Sequence, residues 1–97
     1  MMKTEYVING TRIKSEKVFY NEIEKVLTSG LTWKIGRNLN AFNDVLRGGF
    51  GCYDYGEKFI LKWKNFSVSE RHLDPGFLKR VLEILEENEN VTFVKFK

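Results

Sequence analysis

Two rhythms of apolar residues alternate along the chain. Glu5 to Asn9 is a short β-branched and aromatic run that closes on Asn9-Gly10, a strong turn signal, and it predicts a first strand. Phe19, Ile23, Val26 and Leu27 then recur at helical spacing. Ser15 stands where an N-cap belongs, Glu16 lies in the first turn, and Gly30 stops the helix. Leu39, Phe42 and Leu46 share the face of a second helix, flanked by Val45. Asn38 is its N-cap, Gly48 and Gly49 its end, and Asn40, Asn43, Asp44 and Arg47 are left on the opposite side. Phe59 to Trp63 predicts a second strand. Ser67-x-x-Glu70 fits a capping box opening a short helix anchored by Val68 and Leu73. Asp74-Pro75 pairs a capping carboxylate with proline at the first helical position, and Phe77, Leu78, Val81, Leu82 and Leu85 give that helix one buried face. The run Glu86-Glu87-Asn88-Glu89-Asn90 places carboxylates at the negative end of the helix dipole, which predicts fraying there. Val91 to Phe96 is the last strand.

The order is strand, helix, helix, strand, helix, helix, strand. Long helical segments between strands favour crossovers and a parallel sheet, so the expected fold is a small α/β domain with a three-stranded parallel sheet and about four helices. The 97 residues are expected to form a single domain, 1–97. At this length a chain buries roughly 60–70% of its unfolded surface, enough for one core. A hydrophobic share of 42% is ample for it, so disorder is not a serious reading.

The chemistry of the side chains points away from catalysis. His72 is the sole histidine and Cys52 the sole cysteine, so neither a metal-ligand cluster nor a nucleophile with its base is spelled out, and no cofactor is expected. Gly48-Gly49-Phe50-Gly51 follows a helix and leads toward a strand, the reverse of a phosphate-cradling loop. One cysteine suits a reducing compartment. No apolar run reaches the ~20 residues of a membrane span, and the N-terminus lacks a signal-peptide core, so a soluble cytoplasmic protein is expected. The net charge of +3 is too mild and too dispersed to imply nucleic-acid binding by itself.

Gly36-x-Asn38-Leu39-x-Ala41-x-x-Asp44-x-Leu46-x-Gly48 resembles the motif of the barstar family, the small intracellular inhibitors that neutralise the secreted ribonuclease barnase. The resemblance extends to Val7-Ile8-Asn9-Gly10, to the Leu61-Lys62-Trp63 strand, and to the amphipathic helix before the terminal strand. It implies a barstar-like sheet with the first strand central. It also implies inhibition by substrate mimicry, in which a carboxylate on the short helix enters the phosphate position of a nuclease. Asp44 aligns with that carboxylate. Leu39, Ala41 and Leu46 match the buried face, while Gly36, Asn38 and Gly48 match the turns and the cap and stand near the partner. Glu87, with Glu86 one residue away, falls near a peripheral glutamate of the family.

The chain departs from the family pattern at several contact positions. Lys34 stands where the family has an aromatic contact residue, Asn40 replaces an aspartate, and Asn43 and Gly49 replace tryptophans. The type member is strongly acidic, whereas residues 31–51 here carry Lys34, Arg37 and Arg47 against Asp44 alone. Barnase itself is therefore not the expected target. The expected partner is a less basic ribonuclease or nuclease-type toxin, or a more acidic protein with a locally positive pocket. The interface is expected to use Lys34, Gly36, Asn38, Asn40, Asn43, Asp44, Arg47, Gly48 and Glu87. The alternative is a single-stranded nucleic-acid-binding module in which Lys34, Arg37 and Arg47 work with Trp33, Phe50, Tyr53 and Tyr55. It predicts steeply salt-dependent binding to single strands, and a flat gel-shift titration at low salt eliminates it.

Overall fold

In a computed structural model, which describes residues 4–27, 38–47 and 56–97, the element order is β1 (Thr4–Asn9), α1 (Glu16–Leu27), α2 (Leu39–Arg47), β2 (Phe59–Lys64), α3 (Phe66–His72), α4 (Pro75–Glu87) and β3 (Val91–Lys95). Lys34, Gly36, Arg37, Gly48 and Gly49 lie outside the described residues, as do Gly30, Trp33, Phe50, Cys52, Tyr53 and Tyr55. The three strands form one parallel sheet, so the α/β architecture is the one the element order predicts.

The strand order corrects the expectation of a central first strand. The order is β1-β2-β3, with β2 in the middle. Burial explains the choice. Along β2, Phe59, Leu61 and Trp63 are fully buried and Ile60 and Lys62 half-buried, whereas in β1 only Ile8 is buried and Thr4, Glu5 and Val7 are exposed. The most buried strand is the one paired on both edges, where the helices packed on the sheet cover its aromatic face. In register, Tyr6, Leu61 and Phe93 form one row across the sheet and Ile8, Trp63 and Lys95 the next.

Phe19 of α1 ties the core together. Its ring lies 5.7 Å from Trp63, 5.2 Å from Phe42 of α2 and 5.6 Å from Phe77 of α4, the last two edge-on, an arrangement aromatic quadrupoles favour. Trp63 in turn meets Phe66 edge-on at 5.0 Å. The indole N–H of Trp63 donates to Ser69 Oγ at 3.2 Å, and that hydroxyl donates to the Gly10 carbonyl at 3.0 Å. Gly10 has to be glycine here. A Cβ would sit 2.6 Å from the Lys64 carbonyl oxygen and also against that of Asn65, because the Gly10 N–H donates to Lys64 O at 2.6 Å.

The helix ends follow local chemistry. Ser15 Oγ accepts from Val18 N and opens α1, and Asp74 Oδ2 accepts from Phe77 N with Pro75 beside it to open α4, both as the sequence predicts. The capping box at Ser67 does not form. Helix α3 begins at Phe66, after Asn65 in the left-handed region (φ 53°), with no side-chain cap. Its first N–H donates instead to the Phe96 carbonyl beyond β3, at 2.8 Å, which lets Phe66 bury beside Trp63. The acidic end of α4, expected to fray, is helical in the structure. The helix continues through Glu86 and Glu87, and Asn88 closes it by donating its side-chain amide to the Ile84 carbonyl at 2.7 Å. His72 is exposed, its Nδ1 2.8 Å from the Val68 carbonyl one turn back.

Candidate functional site

The central candidate residue, Asp44, sits on α2. A nine-residue helix is marginal alone, so its order comes from what it buries. Phe42, Val45 and Leu46 are fully buried and Leu39 half-buried against the core. Three such side chains contribute about 1.5–3 kcal/mol each before ordering costs. At the N-terminus, Asn38 Oδ1 accepts from Ala41 N at 2.8 Å and its carbonyl from Phe42 N at 3.1 Å, the N-cap the sequence predicts. At the C-terminus two carbonyls that would otherwise lack partners are satisfied from elsewhere. Leu46 O accepts from Asn90 Nδ2 at 2.8 Å, and Arg47 O from Gly56 N at 2.7 Å.

The opposite side of α2 is polar and open. Asn40, Asp44 and Arg47 follow at spacings of four and three, so they form one stripe, and all three are exposed, as is Asn38 at the helix start. The stripe is a short, directional surface on a buttressed rod. Its central carboxylate, Asp44, is exposed and holds no ion pair among the described residues.

Asn43 does not share that exposure. It is half-buried, and its Oδ1 accepts from Asn88 Nδ2 at 2.8 Å. Helical spacing turns position 43 toward α4, where the buried Asn88 amide needs an acceptor. Asn43 thus works inside the molecule, joining α2 to the end of α4, rather than standing free beside Asp44.

Glu87, the last residue of α4, is exposed. With Arg47 it lines an open depression of about 460 Å³, completed by Gly56, Lys58, Asn88, Glu89 and Asn90. The fold thus brings Arg47 and Glu87 to one concavity beside the Asn40–Asp44 stripe. Neither helical period nor the family motif marks Lys58, Glu89, Asn88 or Asn90 as a site residue. One signal for Asn88 lies in the sequence, since an asparagine just past the end of a helix is a stop signal, but Glu86 and Glu87 separate it from the last apolar position, Leu85. Lys34, Gly36 and Gly48 of the candidate interface lie outside the described residues. So do the basic and aromatic residues of the nucleic-acid alternative, Arg47 excepted.

Among the described residues no group of three or more histidine, cysteine, aspartate or glutamate side chains is placed to hold a metal ion, and no helix is long and apolar enough to cross a membrane. What the described surface offers is a set of exposed polar and charged groups fixed on stiff elements, an arrangement suited to recognising another macromolecule. The sequence model of the family described as Barstar (barnase inhibitor) matches residues 4–96. No curated protein sequence matches the chain.

Proposed function

The chain belongs to the barstar family, and from that premise we propose that it is a protein inhibitor of a ribonuclease, the antitoxin or immunity partner of a nuclease-type toxin. Asp44 is the residue on which the reading turns. It stands exposed on a helix whose back is buried in the core and whose first turn is capped. A ribonuclease active site holds a phosphate with cationic side chains. A carboxylate offered at fixed position makes charge-assisted hydrogen bonds to such groups, and a rigid carrier lowers the ordering cost of binding. Asn40 and Arg47 flank it on the same stripe, Asn38 stands exposed at the start of the helix, and Glu87 adds a second carboxylate at the rim. Lys34, Gly36 and Gly48 complete the proposed contact. Asn43 contributes by holding α2 in place.

Charge bears on the kind of target. A chain at +3 gains no long-range attraction toward a strongly basic enzyme. The proposed partner is therefore a ribonuclease other than barnase, near neutral or acidic overall, with a locally positive phosphate pocket. The test is co-purification with candidate nucleases, above all any encoded beside it, followed by a ribonuclease assay. The reading predicts a stable one-to-one complex with loss of nuclease activity. A complex that leaves the nuclease fully active, its phosphate pocket open, contradicts it.

A further inference from the structure

We propose that Asn88 and Asn90 are positioning residues: through Asn43 and the Leu46 carbonyl they lock α2 to the turn between α4 and β3, and so fix the offset between the Asp44 and Glu87 carboxylates. The significance of that offset rests on the inhibitor reading, but the lock itself consists of bonds within the free protein.

Asn88 is 8% exposed, and with Ser69 it is one of two buried polar residues among those described. A buried primary amide has two donor hydrogens to satisfy. One goes to Ile84 O at 2.7 Å, which suffices to close α4, and the other crosses to Asn43 Oδ1 at 2.8 Å on a different helix. Asn90 is only half-buried but bonds in a similar way. Its amide donates to Leu46 O at 2.8 Å and to Glu57 O at 3.3 Å, while its carbonyl accepts from Phe59 N at 2.9 Å. The Asn88 carbonyl accepts from Val91 N at 3.0 Å. The turn is thus tied to β2 and β3 as well as to α2.

The two bridges reach α2 at positions 43 and 46, almost one turn apart and on either side of Asp44. A single bridge would act as a pivot, but two resist both rolling and sliding of the helix. The apolar back cannot do this alone, because burial of Phe42, Val45 and Leu46 is non-directional and tolerates small rotations. Hydrogen bonds weaken steeply away from their preferred angles. Burial therefore provides the affinity of α2 for the core, and the asparagines set its register.

The experiment is amide hydrogen exchange on the free full-length protein with two substitutions at one site. Asn43→Leu removes the acceptor, whereas Asn43→Asp keeps it. The expected result for Asn43→Leu is a loss of protection of roughly tenfold in the α2 amides relative to those of β2, the effect of stranding a buried donor. Asn43→Asp is expected to retain the parent pattern. No selective change in α2, or equal loss in both variants, overturns the lock. Should Asn43→Leu unfold the chain, Asn90→Ala is read the same way at the C-terminal end of α2. Because no partner is present, this outcome is independent of the nuclease assay. Failure to inhibit with a normal exchange pattern removes the inhibitor reading and leaves the lock standing.

Discussion

Ser69→Ala offers a quantitative probe of the scaffold beneath the site. Ser69 is fully buried; its hydroxyl accepts from the Trp63 indole and donates to the Gly10 carbonyl. Alanine leaves almost no cavity, so the cost is polar. The Trp63 N–H, in a fully buried side chain, loses its acceptor, and an unsatisfied buried donor costs about 1–3 kcal/mol. The Gly10 carbonyl loses less, since it still accepts from Ile13 N at 3.2 Å. The expected total is about 2 kcal/mol, with most of it in the indole. At an m-value on the order of 1 kcal/mol/M, the urea midpoint falls by roughly 2 M, followed by far-UV circular dichroism. A double-mutant cycle isolates the cause. With Trp63→Phe no donor remains to strand, and Ser69→Ala should then cost about 1 kcal/mol or less. A loss below about 0.5 kcal/mol in the parent, or full additivity in the cycle, excludes the indole as the source of the cost.

Three further outcomes are expected. Gly10→Ala forces a Cβ onto the Lys64 and Asn65 carbonyls and should destabilise by at least ~2 kcal/mol, read as a fall in thermal midpoint, whereas Gly56→Ala, with open space around it, suffers only from its positive φ. Asn38→Ala removes the cap of α2 and should cost about 0.5–2 kcal/mol, while Asn38→Ser should recover most of it; equal losses in denaturant titrations exclude the capping role. Burial, and secondarily the Glu16 charge, hold the Tyr20 hydroxyl above its ordinary value near 10. A folded-state value raised above the unfolded one contributes stability that is fully present below about pH 10 and is lost as pH climbs through the raised value. Tyr20→Phe should flatten that alkaline decline, and an unchanged pH–stability curve rules out the assignment.

Much of this fold is legible in residue spacing because local chemistry and burial agree. Asp74-Pro75 opens α4, Ser15 opens α1 and Asn38 caps α2, each where the sequence predicts, since a cap needs only its own next three residues. What escaped detection was decided at long range. The central position of β2 depends on which sheet face the helices cover, and no strand carries that information alone. The capping box at Ser67 was locally sound, but burial of Phe66 and the Phe96 carbonyl moved the start of α3. At the candidate site, the stripe of Asn40, Asp44 and Arg47 follows from helical period, as does its exposure. Asn43 does not, because its partner is Asn88, 45 residues away. The acidic run at the end of α4 conceals two structural asparagines among charges, and composition cannot separate them.

Phosphate mimicry by Asp44 is tested by the inhibition constant of Asp44→Asn against a ribonuclease that the parent protein inhibits. The substitution keeps shape and helix and removes only the charge. The expected result is an unchanged urea midpoint with inhibition weakened by about 30-fold or more, the equivalent of ~2–5 kcal/mol for a desolvated charge deprived of its counterpart. Inhibition as tight as that of the parent would contradict it, since the carboxylate would then not be standing in for phosphate.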